Sequence, residues 1–267
     1  MNLIVSPPGP AYFNVTDLAR HNITKPTDPE LAAQQHLTLV KTLEQTGCGV
    51  IYRPELPGHP NSVFTKDPIV CTPRGYIILR MGLPSRMGEE LWMAEFLDKA
   101  GIPCIGSIRP PGTVEGGDVI LAGKIAFLGR STRTNRAGVR QIGDLLEKVG
   151  FEIRTAAVPA PFLHVGGAVS LVSPDTLLCV KGLFPDSFLD GFQRIEVPNT
   201  GFINGNVISA GNRSVVAELS NQPAIEALRR HQYSVYPVDL SEFVKGTGGP
   251  SCLILEVKYQ LAIGSWQ

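Results

Sequence analysis

The feature that most restricts the fold is a recurring order of short elements. Apolar runs of three to five residues come in close pairs separated by Gly, Pro or Asp, and each cluster contains one helical pattern, at a spacing of about fifty residues. The runs are Val50-Ile51-Tyr52, Ile69-Val70-Cys71, Tyr76 to Leu79, Val119-Ile120-Leu121, Ala168 to Leu171, Leu177 to Val180, and Leu253 to Val257. Helical patterns fall at about 28–46, 87–100, 136–149 and 222–231. The first opens Thr27-Asp28-Pro29, a capping residue followed by proline in the first turn, carries Leu37, Val40 and Leu43 on one face, and stops at Gly47. The third places Val139, Ile142, Leu146 and Val149 at helical spacing and stops at Gly150. Hairpins alternating with single helices predict mixed α/β structure from a repeated ββαβ unit. Periodicity does not distinguish a ring of such units from an α+β sandwich.

The 28 Gly and 22 Pro are spread evenly, so no stretch reads as a linker, and one continuous domain over 1–267 is expected. The 24 basic residues balance 24 acidic ones, which argues against nucleic acid or an acidic membrane as partner and for a small molecule. With 43% hydrophobic residues, no apolar run approaches the ~20 residues that span a bilayer. Met1 to Val5 reads as a first strand rather than a secretory signal, so a cytoplasmic protein is expected. Cys48, Cys71, Cys104, Cys179 and Cys252 are odd in number and scattered without C-x-x-C spacing. That pattern argues against a disulfide framework and against a thiolate metal site.

Polar residues gather where strands begin or end. "GTGGPSCLIL" places Cys252 between a Gly-Gly-Pro turn and a strand, where it is either a small buried hydrophobe or a presented nucleophile. "NSVFTKDPIV" sets Asp67 before a strand, and "GTVEGGDVILAG" sets Glu115 and Asp118 around a Gly-Gly turn. Either motif alone is ordinary turn chemistry. Two carboxylates at strand mouths can also grip a planar cation, because their oxygens accept parallel N–H bonds from a guanidinium. His164 in "PFLHVGG" is a satisfied core residue or the base that a catalytic thiol requires. Arg86 and Arg133 each precede a helix; solvated alone, they would clamp a carboxylate if they converged.

The ordered set "DLARHNITKP", "NSVFTKDP", "SRMGEE", "GTVEGGD", "GRSTRTN", "FLHVGG", "NGNVI" and "SEFVKGTGGPSC" resembles the dimethylarginine dimethylaminohydrolase family of the guanidino-group-modifying superfamily, over essentially the whole chain. The resemblance implies a five-bladed pseudo-symmetric α/β propeller of ββαβ units with its site in the central channel. It implies Cys252 as nucleophile, His164 as general acid/base and Glu115 as a catalytic acid that holds the guanidinium. It implies Asp67 as a further guanidinium-holding acid, Arg86 and Arg133 as carboxylate binders, Leu18 on a lid loop, and Asn61, Lys66 and Gly246 around the substrate. It implies no metal and no organic cofactor, a guanidino compound as partner, and leaves a homodimer open.

Three positions depart from the family pattern. Asn61 stands where the family has an aspartate for the substrate's α-ammonium, Lys66 where it has a glutamate, and Thr247 where it has an acid. "FTKDP" leans towards arginine deiminases and amidinotransferases, whose pattern is F-x-R-D-P, whereas Gly166 replaces the aspartate those relatives carry after the histidine. The expected activity is thiol-dependent hydrolysis of an N-substituted guanidino acid, through a covalent thiouronium on Cys252, to a ureido product such as citrulline plus an amine. The α-amine of that substrate is absent or differently held. An arginine deiminase or amidinotransferase, and a non-catalytic small-molecule binder, remain alternatives.

Overall fold

The computed structural model describes residues 1–259 and contains five three-stranded sheets. The strands are β1 (Asn2–Val5), β2 (Gly49–Tyr52), β3 (Ile69–Thr72), β4 (Gly75–Ile78), β5 (Cys104–Ser107), β6 (Val119–Ala122), β7 (Ile125–Arg130), β8 (Glu152–Ala157), β9 (Val169–Ser173), β10 (Thr176–Val180), β11 (Gln193–Val197), β12 (Val207–Gly211), β13 (Ser214–Glu218), β14 (Ser234–Val238) and β15 (Leu255–Val257). Four sheets follow one rule, seen in β3-β4-β5: the first strand pairs antiparallel with the second, and the second pairs parallel with the third. A hairpin makes the first pairing; the parallel pairing needs a crossover, which one helix supplies. Those helices are Glu89–Lys99, Arg136–Lys148, Asp186–Leu189 and Gln222–Arg230. The fifth sheet joins the two ends of the chain. β15 pairs antiparallel with β1, and β1 pairs parallel with β2 across the helix Pro29–Gln45.

The expected α/β repeat is therefore a ring of five units, a five-bladed α/β propeller. β3, β6, β9, β12 and β15 face the centre and line a channel of about 830 Å³. Apolar side chains pack between blades: Leu3, Leu39, Leu43 and Val216 share one buried cluster, and Phe127, Leu177, Val215 and Leu228 another. Among the described residues no helix is long and apolar enough to cross a membrane.

Local chemistry accounts for the boundaries. Asp28 accepts a hydrogen bond from Leu31 N–H at 3.0 Å, with Pro29 at the first helical position, and Asn135 accepts from Gly138 N–H at 2.8 Å. Pro237 sits in β14, which has a neighbour on one side only, where a missing N–H costs no ladder bond.

Three expectations need correction. Leu37, expected on the apolar face of the first helix, is 50% exposed; the buried face runs through Leu39, Val40 and Leu43 with Ala32. The last strand begins at Leu255 rather than Leu253, because Pro250–Leu253 winds into a 3₁₀ turn. β5, β7, β8 and β11 to β14 were not anticipated, nor was the short helix Asp186–Leu189. β8 alternates weakly, with all six residues exposed or half-buried, so its pattern is faint in the sequence.

Candidate active site

The loops that enter β3, β6 and β9, together with the turn before β15, bring one chemically active side chain each to the same end of the ring. Asp67 precedes Pro68 and β3. Its Oδ2 accepts from Arg86 Nη1 at 2.6 Å and its Oδ1 from the Gly117 N–H at 2.9 Å. Glu115 is fully buried before β6. Its Oε1 accepts from the Gly82 and Leu83 N–H groups at 3.1 and 3.0 Å and faces Arg133 Nη1 at 3.5 Å; its Oε2 meets His164 Nε2 at 2.9 Å. His164 heads the turn Val165–Ala168 that leads into β9. Gly117 lies flat against its ring: a Cβ there would stand 2.5 Å from Nδ1, so only glycine permits this approach.

Cys252 is half-buried in the 3₁₀ turn. The turn sets the thiol in the walls of two small cavities, where a strand would have left its direction to the register. Its Sγ receives the Gly249 N–H at 3.4 Å and lies 3.8 Å from Asn206 Nδ2. Asn206 ties the assembly together, since its Nδ2 also donates to Gly166 O at 2.9 Å and its Oδ1 accepts from Ser251 N–H at 3.0 Å. Two cavities of about 20 Å³ each flank the sulfur, and both have Cys252 and His164 in their walls. Asp67, Arg86, Arg133, Asn61 and Gly246 complete the first. Lys66, Gly166 and Ser251 line both the second cavity and the central channel, so they form the floor between nucleophile and channel.

Lys66 is thus on the far side of the thiol from the Asp67–Arg86 pair. Its backbone N–H donates to Cys252 O at 3.2 Å, and burial pushes its ammonium pKa down. Leu18 is not in either cavity wall; it begins the turn Leu18–Ile23 and leans on the core beside Phe13 and Val15. Arg86, read from the sequence as solvated or substrate-binding, is buried and held by protein. Its Nε and Nη2 donate to Glu89 Oε2 at 2.9 and 2.7 Å, and Nη2 also donates to the Asn61 and Phe64 carbonyls. Glu89 and Asn206 were not singled out by the sequence reading. The first is three residues after Arg86, one helical turn away, and the second lies in "NGNVI".

Burial by itself would lower the imidazole pKa, but Asp118, Asp67 and Glu115 raise His164 to about 9. Burial would raise Glu115, yet the hydrogen bond and charge of His164, with Arg86 and Arg133, bring it down to about 2. The Cys252 thiol is pushed up to about 11, first by burial and then by Asp67. The resting pair is accordingly imidazolium and thiol. One ligand atom from each of Asp67, Glu115 and His164 lies within 4.8 Å of the others, a spacing open to a metal ion. Both oxygens of Asp67 and of Glu115 already accept from protein, His164 Nε2 bonds to Glu115, and Arg86 and Arg133 stand beside them as fixed positive charge. That surround suits a diffuse cation bearing N–H donors better than a compact dication.

The relatives follow from comparison. The arginine deiminase family model matches residues 52–157. The N(G),N(G)-dimethylarginine dimethylaminohydrolase of Pseudomonas aeruginosa is 32% identical over 92% of this chain and 96% of its own length. The chain belongs to the dimethylarginine dimethylaminohydrolase family. The Streptomyces coelicolor dimethylarginine dimethylaminohydrolase is 28% identical over 90% of this chain and 92% of its own. Among solved structures, a cysteine-to-serine mutant of the Pseudomonas aeruginosa dimethylarginine dimethylaminohydrolase complexed with citrulline superposes with a TM-score of 0.84, 30% identity, over 95% of this chain and 98% of that one. The N-terminal domain of a cyanobacterial arginine dihydrolase, 20% identical with a TM-score of 0.85, shares the fold.

Proposed function

We propose that this chain hydrolyses the C–N bond of an N-substituted guanidino acid, of the kind exemplified by Nω-methylated arginine, with Cys252 as nucleophile. The observation that carries this reading is that Cys252 and His164 line the same small cavities beside Asp67, with His164 held by Glu115. A guanidinium spreads its charge over three nitrogens and resists attack, so it must be held flat with its charge localised against anions. Asp67 and Glu115 supply those anions.

The docked cation favours ionisation of the thiol, whose proton passes to solvent and is later recovered by the released amine. Cys252 Sγ then bonds to the central carbon, the substituted nitrogen leaves with a proton from His164, and an S-alkyl thiouronium remains. Water adds to that carbon as His164 takes its proton. Collapse breaks the C–S bond, restores the sulfur and gives a ureido acid. Overall, guanidinium and water become a neutral urea and one protonated amine. Asn206 and the Gly249 N–H steady the sulfur, and Gly246 with Asn61 and Arg133 bounds the distal end of the substrate.

The enzyme acts without an organic cofactor in this scheme, on a small guanidino partner, as a single catalytic unit over 1–267. The sharing of one sheet by β1 and β15 supports that unity. Five cysteines that remain free thiols support the cytoplasm as its compartment. The test is a panel of guanidino compounds assayed for ureido product and released amine. Nω,Nω-dimethylarginine or a close analogue should yield both in equal amounts, and Cys252→Ser should yield neither. Release of ammonia from arginine at a higher kcat/KM would instead select the deiminase reading that "FTKDP" favours.

A further inference from the structure

The wall of the cavity that Asp67 and Arg86 line also holds a neutral amide, Asn61. Asn61 there is only 4% exposed, and its Nδ2 donates to the His21 carbonyl of the overlying loop at 3.1 Å. Its Oδ1 is buried with no hydrogen-bond partner, and its own carbonyl accepts from Arg86 Nη2 at 3.2 Å. Across the cavity Asn22 Nδ2 donates to Thr247 Oγ1 at 2.7 Å. Ser85 Oγ to the Arg20 carbonyl and Thr24 Oγ1 to the Lys245 carbonyl, both at 2.9 Å, add to the side-chain ties that hold the loop 18–24 over the site. An aspartate at 61 would have no N–H to give the His21 carbonyl, so the amide is what makes the first tie.

The carboxylates around the cavity are each paired with a cationic side chain. Asp67 and Glu89 pair with Arg86, and Glu115 pairs with His164 and Arg133. Asp17, on the loop, is exposed and accepts the Arg20 N–H. A substrate ammonium beneath the loop would therefore meet neutral amides and a hydroxyl, with the Arg86 guanidinium bonded to the same residue. A charge taken out of water without a partner is strongly disfavoured. A carboxylate has a place beside Arg133, whose contact with Glu115 is a loose 3.5 Å.

We infer that Asn61, together with Thr247, selects guanidino acids that lack an α-ammonium, so that the substrate class is an N-substituted ω-guanidino carboxylate. This rests on the hydrolase reading above and narrows its substrate. It also assigns Asn61 a positioning role as the latch of the loop.

The decisive pair differs only at the α-carbon: Nω,Nω-dimethylarginine and the same molecule without its α-amine, Nω,Nω-dimethyl-5-guanidinopentanoate. Wild-type kcat/KM should favour the second by about tenfold or more. Asn61→Asp should reverse the ratio by at least a further tenfold, and Thr247→Asp, at a φ of 61° that aspartate tolerates better than threonine, should move it in the same direction. A wild-type preference for dimethylarginine, or variants that slow both compounds equally, overturns the inference. Absence of ureido product from both compounds refutes the hydrolase reading and leaves selection to be judged by calorimetry on the wild-type protein. Tighter binding of 5-ureidopentanoate than of citrulline then supports the neutral wall, and equal or weaker binding overturns it.

Discussion

Glu115 Oε2 and His164 Nε2 lie 2.9 Å apart with both residues buried, and each holds the other in its charged form. His164 is raised to about 9 and Glu115 lowered to about 2, so the pair spans neutral pH as carboxylate and imidazolium. That is the protonation state a departing amine requires from its acid.

Glu115→Gln should reduce kcat by roughly 10²-fold or more, as expected for a mispositioned acid–base group. It should also bring the alkaline limb of the pH–rate profile down from near 9. A stability effect accompanies it, with a definite sign. His164 gains affinity for its proton on folding, so its contribution is complete below its unfolded pKa and fades as pH rises towards about 9. Glu115 does the reverse, contributing above its unfolded pKa and losing that as pH falls towards about 2. Denaturant titrations from pH 3 to 10 should show both limbs in the wild type; the variant should lose the Glu115 limb and keep a reduced His164 limb, which Asp118 and Asp67 still support.

Cys252 should be a slow nucleophile in the free protein. With its thiol pushed up to about 11, iodoacetamide alkylation at pH 7 should be weak and should climb about tenfold per pH unit towards that value. Asp67→Asn removes an anion facing the sulfur and should speed alkylation at pH 8 while abolishing turnover. Alkylation that is fast and flat from pH 6 to 9 would show a thiolate already formed.

Two glycines give opposite expectations. Gly117→Ala sets a methyl 2.5 Å from His164 Nδ1 and must turn the ring off Glu115, with a loss in kcat of about 10²-fold at nearly unchanged Tm. Gly143→Ala lies in the helix Arg136–Lys148, where the nearest atoms to the new carbon are at 3.8 Å. It should stabilise by about 0.5–1 kcal/mol with activity unchanged. Thermal denaturation and initial rates on the same preparations test both.

Glu89→Ala leaves the Arg86 guanidinium buried with Asp67 as its one ion-paired carboxylate. A cost of about 3 kcal/mol in urea denaturation is expected, since removing one member of a buried pair strands the other. Leu91→Ala, in the same helix and 64% exposed, should change stability by less than about 0.5 kcal/mol.

Local signals carried the helices well. The Asp28 cap, Pro29 and the apolar stripes depend on neighbours within one or two turns, and those interactions are written consecutively in the chain. Arg86 illustrates the opposite case. Nothing in "PSRMGEE" distinguishes a solvated arginine from one whose charge is consumed by Asp67, nineteen positions earlier. Glu89, by contrast, was within reach, since three-residue spacing is enough to propose the pair. Cys252 lay between: its neighbourhood admitted a strand start or a turn, and the contacts of Asn206 with Ser251 and the sulfur go with the turn.

By itself, the order of residues determined the α/β repeat and the principal helices, and its resemblance to the family named the set of side chains able to act on a guanidinium. The repeat and the helices follow from periodicity and capping, which are short-range properties. Tertiary structure alone decided that five units close with β1 against β15, that Arg86 is spent inside the protein, and that Asn61 faces the site as a neutral latch. Charge and hydrogen-bond partners in a buried site come from segments far apart in the chain, so their pairing exists only once the ring has closed.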